Sequence, residues 1–200
     1  NMTKSIMLVG VGGQGTILAS KLLTIGLMEA GYDVKMSEIH GMSQRGGSVS
    51  SQVRYSKGNV YSPVIEIGGA DMIVSFEKLE ALRYLKYLKP NGQIVVNNFR
   101  LNSISTLVGN FEYKEREIDE ELKKLNAHVV DAAQKAEDLG SAKVMNVILL
   151  GALVKSMDLD NIDWQDIIRK NVKEKFIDLN IKAFNEGKKL VEHKLSESSI

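Results

Sequence analysis

The sequence predicts an α/β fold: a Rossmann-like three-layer sandwich with a mostly parallel sheet and extra helices at its C-terminal end. Short apolar runs alternate with segments of helical periodicity, a glycine-rich turn follows the first strand, and the last third of the chain is helical. The sequence has no internal repeat and no low-complexity linker. We therefore expect one domain over residues 1–195, followed by a polar tail at residues 196–200.

A β-α-β unit opens the chain. The apolar run at residues 5–9 predicts the first strand, and apolar residues at helical spacing predict a helix over residues 14–30, which Gly31 ends. Residues 34–39 predict the second strand, and a right-handed crossover would make the two strands parallel neighbours. Residues 48–55 alternate apolar and polar side chains, which predicts a half-exposed strand, antiparallel and at an edge of the sheet.

The rest of the chain continues this alternation and then becomes helical. The sequence Lys-Pro-Asn-Gly at residues 89–92 is typical of a turn, so it should separate a helix from the strand that follows. Further strands are predicted at residues 72–76, 93–97 and 127–130, and helices at residues 77–87, 115–125, 141–157, 164–171 and 175–194.

Composition excludes several functional classes. The 26 Lys and Arg residues balance 25 Asp and Glu residues without a block of like charge, so nucleic acid and acidic membrane surfaces are not expected as partners. The longest apolar run, residues 147–154, is far shorter than the roughly 20 residues that a membrane span requires. Cysteine is absent and the three histidines are scattered, which excludes disulfides and Cys-ligated iron–sulfur clusters and predicts no metal site in this chain.

The sequence GVGGQG at residues 10–15 lies between the first strand and the first helix. Gly10, Gly12 and Gly15 satisfy the pattern G-x-G-x-x-G, in which glycines allow a tight turn, close backbone approach to a ligand, and packing of the helix on the strand. Together with Gly13 and Gln14 they form a candidate site for an anionic group at the helix N-terminus.

A dinucleotide site would also need an acidic residue at the end of the second strand. Glu38 lies 23 positions after Gly15 and is suitable for a ribose hydroxyl. The alternative is that the glycines only permit a close turn and that Glu38 is an ordinary loop carboxylate. Both interpretations remain open, and NAD is less favoured than a nucleotide or phosphate in general.

A second glycine-rich loop, SEIHGMSQRGGSV at residues 37–49, follows the second strand. Gly46 and Gly47 follow Arg45 directly, so backbone N–H groups and a guanidinium can converge on a phosphate or carboxylate. The alternative, which the residues alone slightly favour, is a structural turn in which Arg45 caps a carbonyl or pairs with Glu38. Arg45, Gly46 and Gly47 complete the candidate binding site.

No catalytic constellation emerges from the sequence. His40 has no neighbouring nucleophile, and Asp71 and Glu77 flank a strand without forming an acid–base pair. Asn146 lies in an apolar helix, where a buried polar side chain needs a partner. That partner is either a structural hydrogen bond between elements, which we favour, or a contact at a subunit interface beside the small residue Gly151.

Taken together, the motifs resemble a known family. The GVGGQG turn, QRGGSV at residues 44–49, Ser-Pro at residues 62–63 and Gly-Ala-Asp at residues 69–71 are similar to the gamma-type domain of pyruvate and other 2-oxoacid ferredoxin oxidoreductases. The residues before RGG, and those of segment 71–83, resemble the indolepyruvate branch of that family. The resemblance covers residues 2–191, with the C-terminal helices least diagnostic.

This resemblance implies a function. Enzymes of the family oxidatively decarboxylate a 2-oxoacid on thiamine diphosphate, pass electrons through iron–sulfur clusters to ferredoxin, and release an acyl-CoA. The resemblance implies that this chain binds no cofactor alone and that a large (alpha) subunit carries the thiamine diphosphate and the clusters, in agreement with the absence of cysteine. The implied substrates are aryl pyruvates, and the implied setting is the cytoplasm of an anaerobic archaeon or bacterium.

The resemblance also implies a coenzyme A contact. Gly12, Gly13, Gln14 and Arg45 are the residues expected to meet its phosphates; alternatively, the glycines determine the fold and hold no ligand. Whether the isolated chain forms a homodimer stays open. Two alternative functions also stay open: a free-standing nucleotide- or dinucleotide-binding Rossmann-like protein, and a regulatory nucleotide-binding module without chemistry.

Overall fold

The structure, a computed structural model, describes residues 2–40, 46–101 and 114–197, the last five as backbone only. A six-stranded sheet with the strand order β2-β3-β1-β4-β5-β6 forms its centre. The strands are β1 (Lys4–Val11), β2 (Asp33–His40), β3 (Ser48–Ser56), β4 (Ala70–Ser75), β5 (Leu88–Asn97) and β6 (His128–Val130). The α-helices of the described residues are α1 (Thr16–Glu29), α2 (Lys78–Arg83), α3 (Glu115–Lys124), α4 (Ala132–Asp138), α5 (Met145–Ser156), α6 (Trp164–Asn171) and α7 (Ile177–Glu197).

The sheet is mostly parallel, as predicted, and β3 is its single exception among the described strands. The pairs β1–β4, β4–β5 and β5–β6 are parallel. β3 is antiparallel to both of its neighbours, β1 and β2, so β1 and β2 point the same way without touching. The prediction that the first two strands are adjacent is therefore wrong, because β3 returns along β2 and occupies the place beside β1.

The predicted edge position of β3 is also wrong, because β2 forms the edge. The polar residues of β3 predicted a solvent-facing side, yet Ser50, Ser51 and Gln52 are buried. Gln52 is satisfied internally, since its Oε1 accepts a hydrogen bond from the Ile65 backbone N–H at 2.7 Å. A strand buried on both faces thus carries an alternating pattern that normally signals exposure.

Helices cover both faces of the sheet and confirm the three-layer sandwich. On one face, Ile6 and Leu8 of β1 pack with residues of α1, α4, α5, α6 and α7. On the other face, Met7 and Val9 pack with residues of α2 and α3. Alternate β1 residues therefore belong to separate cores, as a strand covered on both faces requires.

The added C-terminal helices pack very closely on the first layer. A Cβ at Gly151 of α5 would meet the Phe184 carbonyl oxygen, and one at Gly187 of α7 would meet the Ile148 carbonyl oxygen. Only glycine permits this backbone approach between α5 and α7.

No helix in the described part of the chain has the length and apolar character needed to span a bilayer.

Several predicted boundaries differ from the structure. The helix expected over residues 77–87 ends at Arg83 and is followed by a 3₁₀ turn, Leu85–Tyr87. The expected turn at residues 89–92 instead belongs to β5. It lies opposite the point in β4 where the pairing register shifts, between Ala70, which pairs with Leu88, and Met72, which pairs with Gln93. Proline and glycine are tolerated at this irregular start of a strand. The seven-residue helix α4 had no predicted counterpart because it is too short to show periodicity.

Candidate functional site

The glycine turn between β1 and α1 leaves the helix N-terminus open. Gly13 and Gly15 have φ of +96° and +88°, a region that side chains rarely adopt. Gly15 is the N-cap of α1, and it supplies no side-chain cap; the first turn of α1 also contains no acidic residue. The first backbone N–H groups of α1 thus keep the partial positive charge that attracts an anion.

Gln14 holds this turn in place. Its Oε1 accepts a hydrogen bond from the Val11 N–H at 2.7 Å, and its Nε2 donates to the Phe76 carbonyl oxygen at 3.1 Å. Asn97 Nδ2 donates to the same carbonyl oxygen at 3.1 Å. A Cβ at Gly10 would lie 2.8 Å from Gln14 Oε1, so this position has no room for a side chain. The Gln14 amide thus has a structural partner at each end.

The structure brings the two glycine-rich loops together. The Gly12 N–H donates to the Gly47 carbonyl oxygen at 2.9 Å, and Gly46 has a φ of +74°. Because the Gly12 N–H already donates to Gly47, it is not available to a ligand. The backbone N–H groups that a ligand could meet are those that follow it, from Gly13 into α1. Arg45 lies outside the described residues.

A cleft of about 440 Å³ opens in front of the α1 N-terminus. Lys21 of α1 contributes an ammonium group to the lining of this cleft, and His40 lines it at the end of β2. Glu38 Oε2 lies 3.8 Å from His40 Nε2, so this carboxylate is beside the cleft and faces the imidazole. The lining residues are Gly12, Gly13, Gly15, Thr16, Ile17, Leu18, Lys21, His40 and Val49.

Thr16, Lys21 and the position of His40 were not predicted from the sequence. Lys21 follows Ile17 by four residues, and side chains at that spacing share a helix face, so a signal for Lys21 was present. His40 reaches the cleft only because β2 pairs with β3 and not with β1, which the sequence did not reveal. The set of backbone donors, an ammonium and an imidazole suits a phosphate or pyrophosphate group.

Buried carboxylates support the second loop from behind. Glu77 and Glu80 are each 1% exposed. Glu77 Oε2 accepts a hydrogen bond from the Glu80 N–H at 2.9 Å and caps α2, while Glu80 Oε2 accepts one from Ser48 Oγ at 2.7 Å. Burial raises the pKa of the Glu80 carboxyl above its ordinary value, an effect that Ser48 and Arg83 oppose and Glu77 reinforces. α2 is thus attached to the strand that follows Gly47.

Lys78 connects the same helix to α3. Its Nζ lies 2.6 Å from Glu115 Oε1 and 3.0 Å from Asp119 Oδ1, although the lysine itself is buried. Burial lowers the pKa of Lys78, but hydrogen bonds to Glu115 and Asp119 outweigh it and leave that pKa raised. Two half-exposed carboxylates therefore neutralise one buried ammonium group.

Asn146 packs on the glycine turn from the α5 side. A Cβ at Gly15 would lie 2.5 Å from Asn146 Nδ2 and 3.0 Å from its Cβ. Asn146 Oδ1 accepts a hydrogen bond from the Val147 N–H at 2.8 Å, so the hydrogen bond is local and the contact between elements is steric. The N-terminal ends of α1 and α5 thus fix each other's position.

Comparison with known proteins identifies the family. Residues 5–190 match the family model described as pyruvate ferredoxin/flavodoxin oxidoreductase. The chain belongs to this family. An indolepyruvate oxidoreductase subunit IorB from Archaeoglobus fulgidus is 40% identical over 191 residues, which cover 93% of this chain and 94% of that protein. The protein of the same name from Pyrococcus horikoshii is 38% identical, with 96% and 98% covered.

Solved structures of oxoacid ferredoxin oxidoreductases share the fold. The gamma subunit of a keto/oxoacid ferredoxin oxidoreductase from Geobacter sulfurreducens superposes with a TM-score of 0.71 at 23% identity, covering 96% of this chain and 98% of that one. The 2-oxoglutarate:ferredoxin oxidoreductase from Magnetococcus marinus, solved with 2-oxoglutarate, coenzyme A and succinyl-CoA bound, gives a TM-score of 0.73 at 22% identity, covering 96% of this chain and 32% of that one. The fold is thus found both as a separate subunit and as part of a longer chain.

This member of the family offers few groups for redox chemistry of its own. Its sequence contains no cysteine. Among the described residues, no three His, Cys, Asp or Glu side chains are grouped as a metal site. What the described site offers is backbone N–H groups, a hydroxyl, an ammonium and an imidazole, which are groups suited to an anion.

Proposed function

We propose that this chain is the small subunit of an indolepyruvate-type 2-oxoacid:ferredoxin oxidoreductase, which makes an acyl-CoA, CO₂ and reduced ferredoxin. The observation that carries this proposal is the 40% identity to an indolepyruvate oxidoreductase subunit IorB over almost the whole of both chains. The protein of that name from Thermococcus kodakarensis is 36% identical over 200 residues. 2-Oxoglutarate synthase subunit KorC of Methanothermobacter marburgensis is only 26% identical, which favours the aryl pyruvate substrate.

In this proposal the cofactors belong to a larger alpha subunit in the cytoplasm. Thiamine diphosphate, when bound there, supplies the electron sink for decarboxylation, and iron–sulfur clusters pass the electrons to ferredoxin. A chain without cysteine has no thiolates for such clusters, which supports this division. We assign residues 1–195 to a single gamma-type domain, which the family match over residues 5–190 supports, and residues 196–200 to a polar tail whose first two residues continue α7.

The chain's own contribution in this proposal is to hold coenzyme A by its phosphates. The N–H groups of Gly13, Gly15 and Thr16 lie at the open end of α1, and Lys21 adds a positive charge to the same cleft. Gln14 and Gly12 act indirectly, since their polar groups hold the two loops together. Arg45, next to Gly46 and Gly47 in sequence, is the remaining candidate for a phosphate contact.

Two experiments test this proposal. A tagged chain, coexpressed with the larger subunit of an indolepyruvate oxidoreductase and purified without oxygen, should copurify with that subunit, with iron and with thiamine diphosphate. In the assembled enzyme, Arg45→Ala should raise the KM for coenzyme A about tenfold, the effect of losing one charge-assisted contact, while the KM for indolepyruvate stays unchanged. An unchanged KM for coenzyme A would remove Arg45 from the site.

A further inference from the structure

Asn97, the last residue of β5, is a fully buried amide with an exposed fraction of 0%. Its Nδ2 donates to the Phe76 carbonyl oxygen at 3.1 Å and to Met145 Sδ at 3.1 Å. Its Oδ1 accepts a hydrogen bond from the Ala133 N–H of α4 at 3.3 Å. An amide without access to water needs such partners, so these contacts hold the side chain in one orientation.

The Phe76 carbonyl oxygen connects Asn97 to the glycine turn. The same oxygen accepts a hydrogen bond from Gln14 Nε2 at 3.1 Å, and Gln14 Oε1 accepts one from the Val11 N–H at 2.7 Å. A carbonyl oxygen has two lone pairs, and here two side-chain amides occupy both. The position of Gln14, and with it the turn, therefore depends on a carbonyl group that Asn97 also holds.

The contact with Met145 leads to the second support of the turn. Met145 is the first residue of α5, and the next residue, Asn146, packs so closely on Gly15 that a Cβ there would lie 2.5 Å from Asn146 Nδ2. A thioether sulfur is a weak acceptor, so this contact fixes the start of α5 mainly by packing. Asn97 is thus one contact away from each of the two side chains, Gln14 and Asn146, that support the turn.

The turn depends on these supports because it has few of its own. Gly13 and Gly15 have positive φ and no side chains, and a Cβ at Gly13 would meet nothing within 4 Å. The backbone N–H groups bind an anion strongly only when they point at it, since a hydrogen bond weakens steeply as it departs from linearity. A small displacement of Gln14 or Asn146 should therefore weaken anion binding without unfolding the chain.

We propose that Asn97 is a positioning residue for the anion site at the α1 N-terminus. Being fully buried, it does not meet the ligand itself. It fixes the Phe76 carbonyl oxygen and the start of α5, and these fix Gln14 and Asn146 against the turn. The inference deepens the proposed function and rests on it, because the anion in question is the phosphate part of coenzyme A.

The first test separates positioning from stability. In the assembled enzyme, Asn97→Ala should raise the KM for coenzyme A about fivefold, the effect of weakening contacts to a phosphate without removing one, while kcat and the KM for indolepyruvate stay unchanged. A merely structural role would lower the free energy of unfolding and the yield of active enzyme but leave the KM for coenzyme A at the wild-type value. That result would overturn the proposal.

Asn98→Ala is the matched control. Asn98 is exposed, and its Nδ2 donates to Asp131 Oδ1 at 2.8 Å, directly before α4. Its substitution therefore loosens the start of α4, as Asn97→Ala also does, but it leaves the contact with the Phe76 carbonyl oxygen intact. Asn98→Ala should keep the wild-type KM for coenzyme A. An equal rise in both variants would trace the effect to α4 and contradict the route through Phe76.

Asn97→Asp tests the donor group alone, in a variant that keeps the shape of the side chain. A carboxylate can still accept from the Ala133 N–H, and the N-terminus of α4 stabilises its negative charge. When ionised it cannot donate to the Phe76 carbonyl oxygen, so it should raise the KM for coenzyme A at least as much as Asn97→Ala. A wild-type KM in Asn97→Asp would overturn the proposal, whether or not Asn97→Ala folds.

A double variant tests whether Asn97 acts through Gln14. Both side chains donate to one carbonyl oxygen, so Gln14→Ala combined with Asn97→Ala should raise the KM for coenzyme A by less than the product of the two separate increases. An increase equal to that product would show that the two residues act independently.

The wild-type enzyme separates this inference from the proposed function. If the assembled wild-type enzyme is active without coenzyme A, the proposed function fails and this inference fails with it. If the wild-type enzyme requires coenzyme A and every Asn97 variant keeps the wild-type KM for it, Asn97 has only a structural role and the proposed function stands.

Discussion

Substitution of Gly15 by alanine should lower the free energy of unfolding for two reasons, backbone strain and a steric clash with Asn146. Alanine at a φ of +88° requires the left-handed conformation, which costs about 1–2 kcal/mol. Its Cβ would also lie 2.5 Å from Asn146 Nδ2 and 3.0 Å from Asn146 Cβ, and overpacking of this kind costs about 1–3 kcal/mol. The Gly15→Ala variant should therefore lose about 2–5 kcal/mol of unfolding free energy, the sum of both effects.

Gly13→Ala is the matched control for this prediction. Gly13 has a similar φ of +96°, but a Cβ there would meet nothing within 4 Å, so only the conformational cost of about 1–2 kcal/mol applies. Urea unfolding of the isolated chain, followed by circular dichroism, measures both variants. Adding Asn146→Ala to Gly15→Ala should recover about 1 kcal/mol, because it removes the amide but keeps the Cβ contact. If Gly15→Ala is no more destabilising than Gly13→Ala, Asn146 of α5 does not pack closely on Gly15.

Three further predictions concern the site and its supports. Lys21→Gln should raise the KM for coenzyme A in the assembled enzyme about fivefold at low salt with kcat unchanged, as expected for a lost charge near a phosphate; a change in kcat alone would contradict this role. Since burial raises the folded-state pKa of Glu80 above the ordinary 4.5, the folded chain binds more protons than the unfolded chain between those two pKa values. Stability should therefore fall as the pH rises through that window, and Glu80→Gln should flatten this part of the unfolding profile; an identical slope in both proteins would refute the assignment. Lys78→Met should cost about 1–3 kcal/mol in urea unfolding, because it removes the charge-assisted hydrogen bonds to Glu115 and Asp119; a variant as stable as the wild type would show that α2 and α3 do not depend on this pair of contacts.

The fold class could be predicted because its signals are local. The apolar run before GVGGQG, the helical spacing after it and the helical last third of the chain each depend on neighbours in sequence, and the α/β/α sandwich follows from them. The strand order could not be predicted in this way. β3 lies between β1 and β2 because of pairings between distant residues, such as Gly10 with Val49.

The candidate site shows the same division. The glycines of the first loop were visible as a pattern, and the structure places Gly46 and Gly47 beside them through the Gly12 contact. His40 joins the cleft only through the position of β2 at the edge, and Asn146 meets Gly15 across 131 positions of sequence. Such contacts follow from packing between elements that are distant in sequence, so the periodicity of the sequence does not predict them.

We expect this chain to be a required subunit of an indolepyruvate-type ferredoxin oxidoreductase. The most direct test is an anaerobic reconstitution with the larger subunit of an indolepyruvate oxidoreductase. Indolepyruvate- and coenzyme A-dependent reduction of a viologen dye should appear only when both chains are present. A larger subunit that is fully active alone, or that never associates with this chain, would contradict the account.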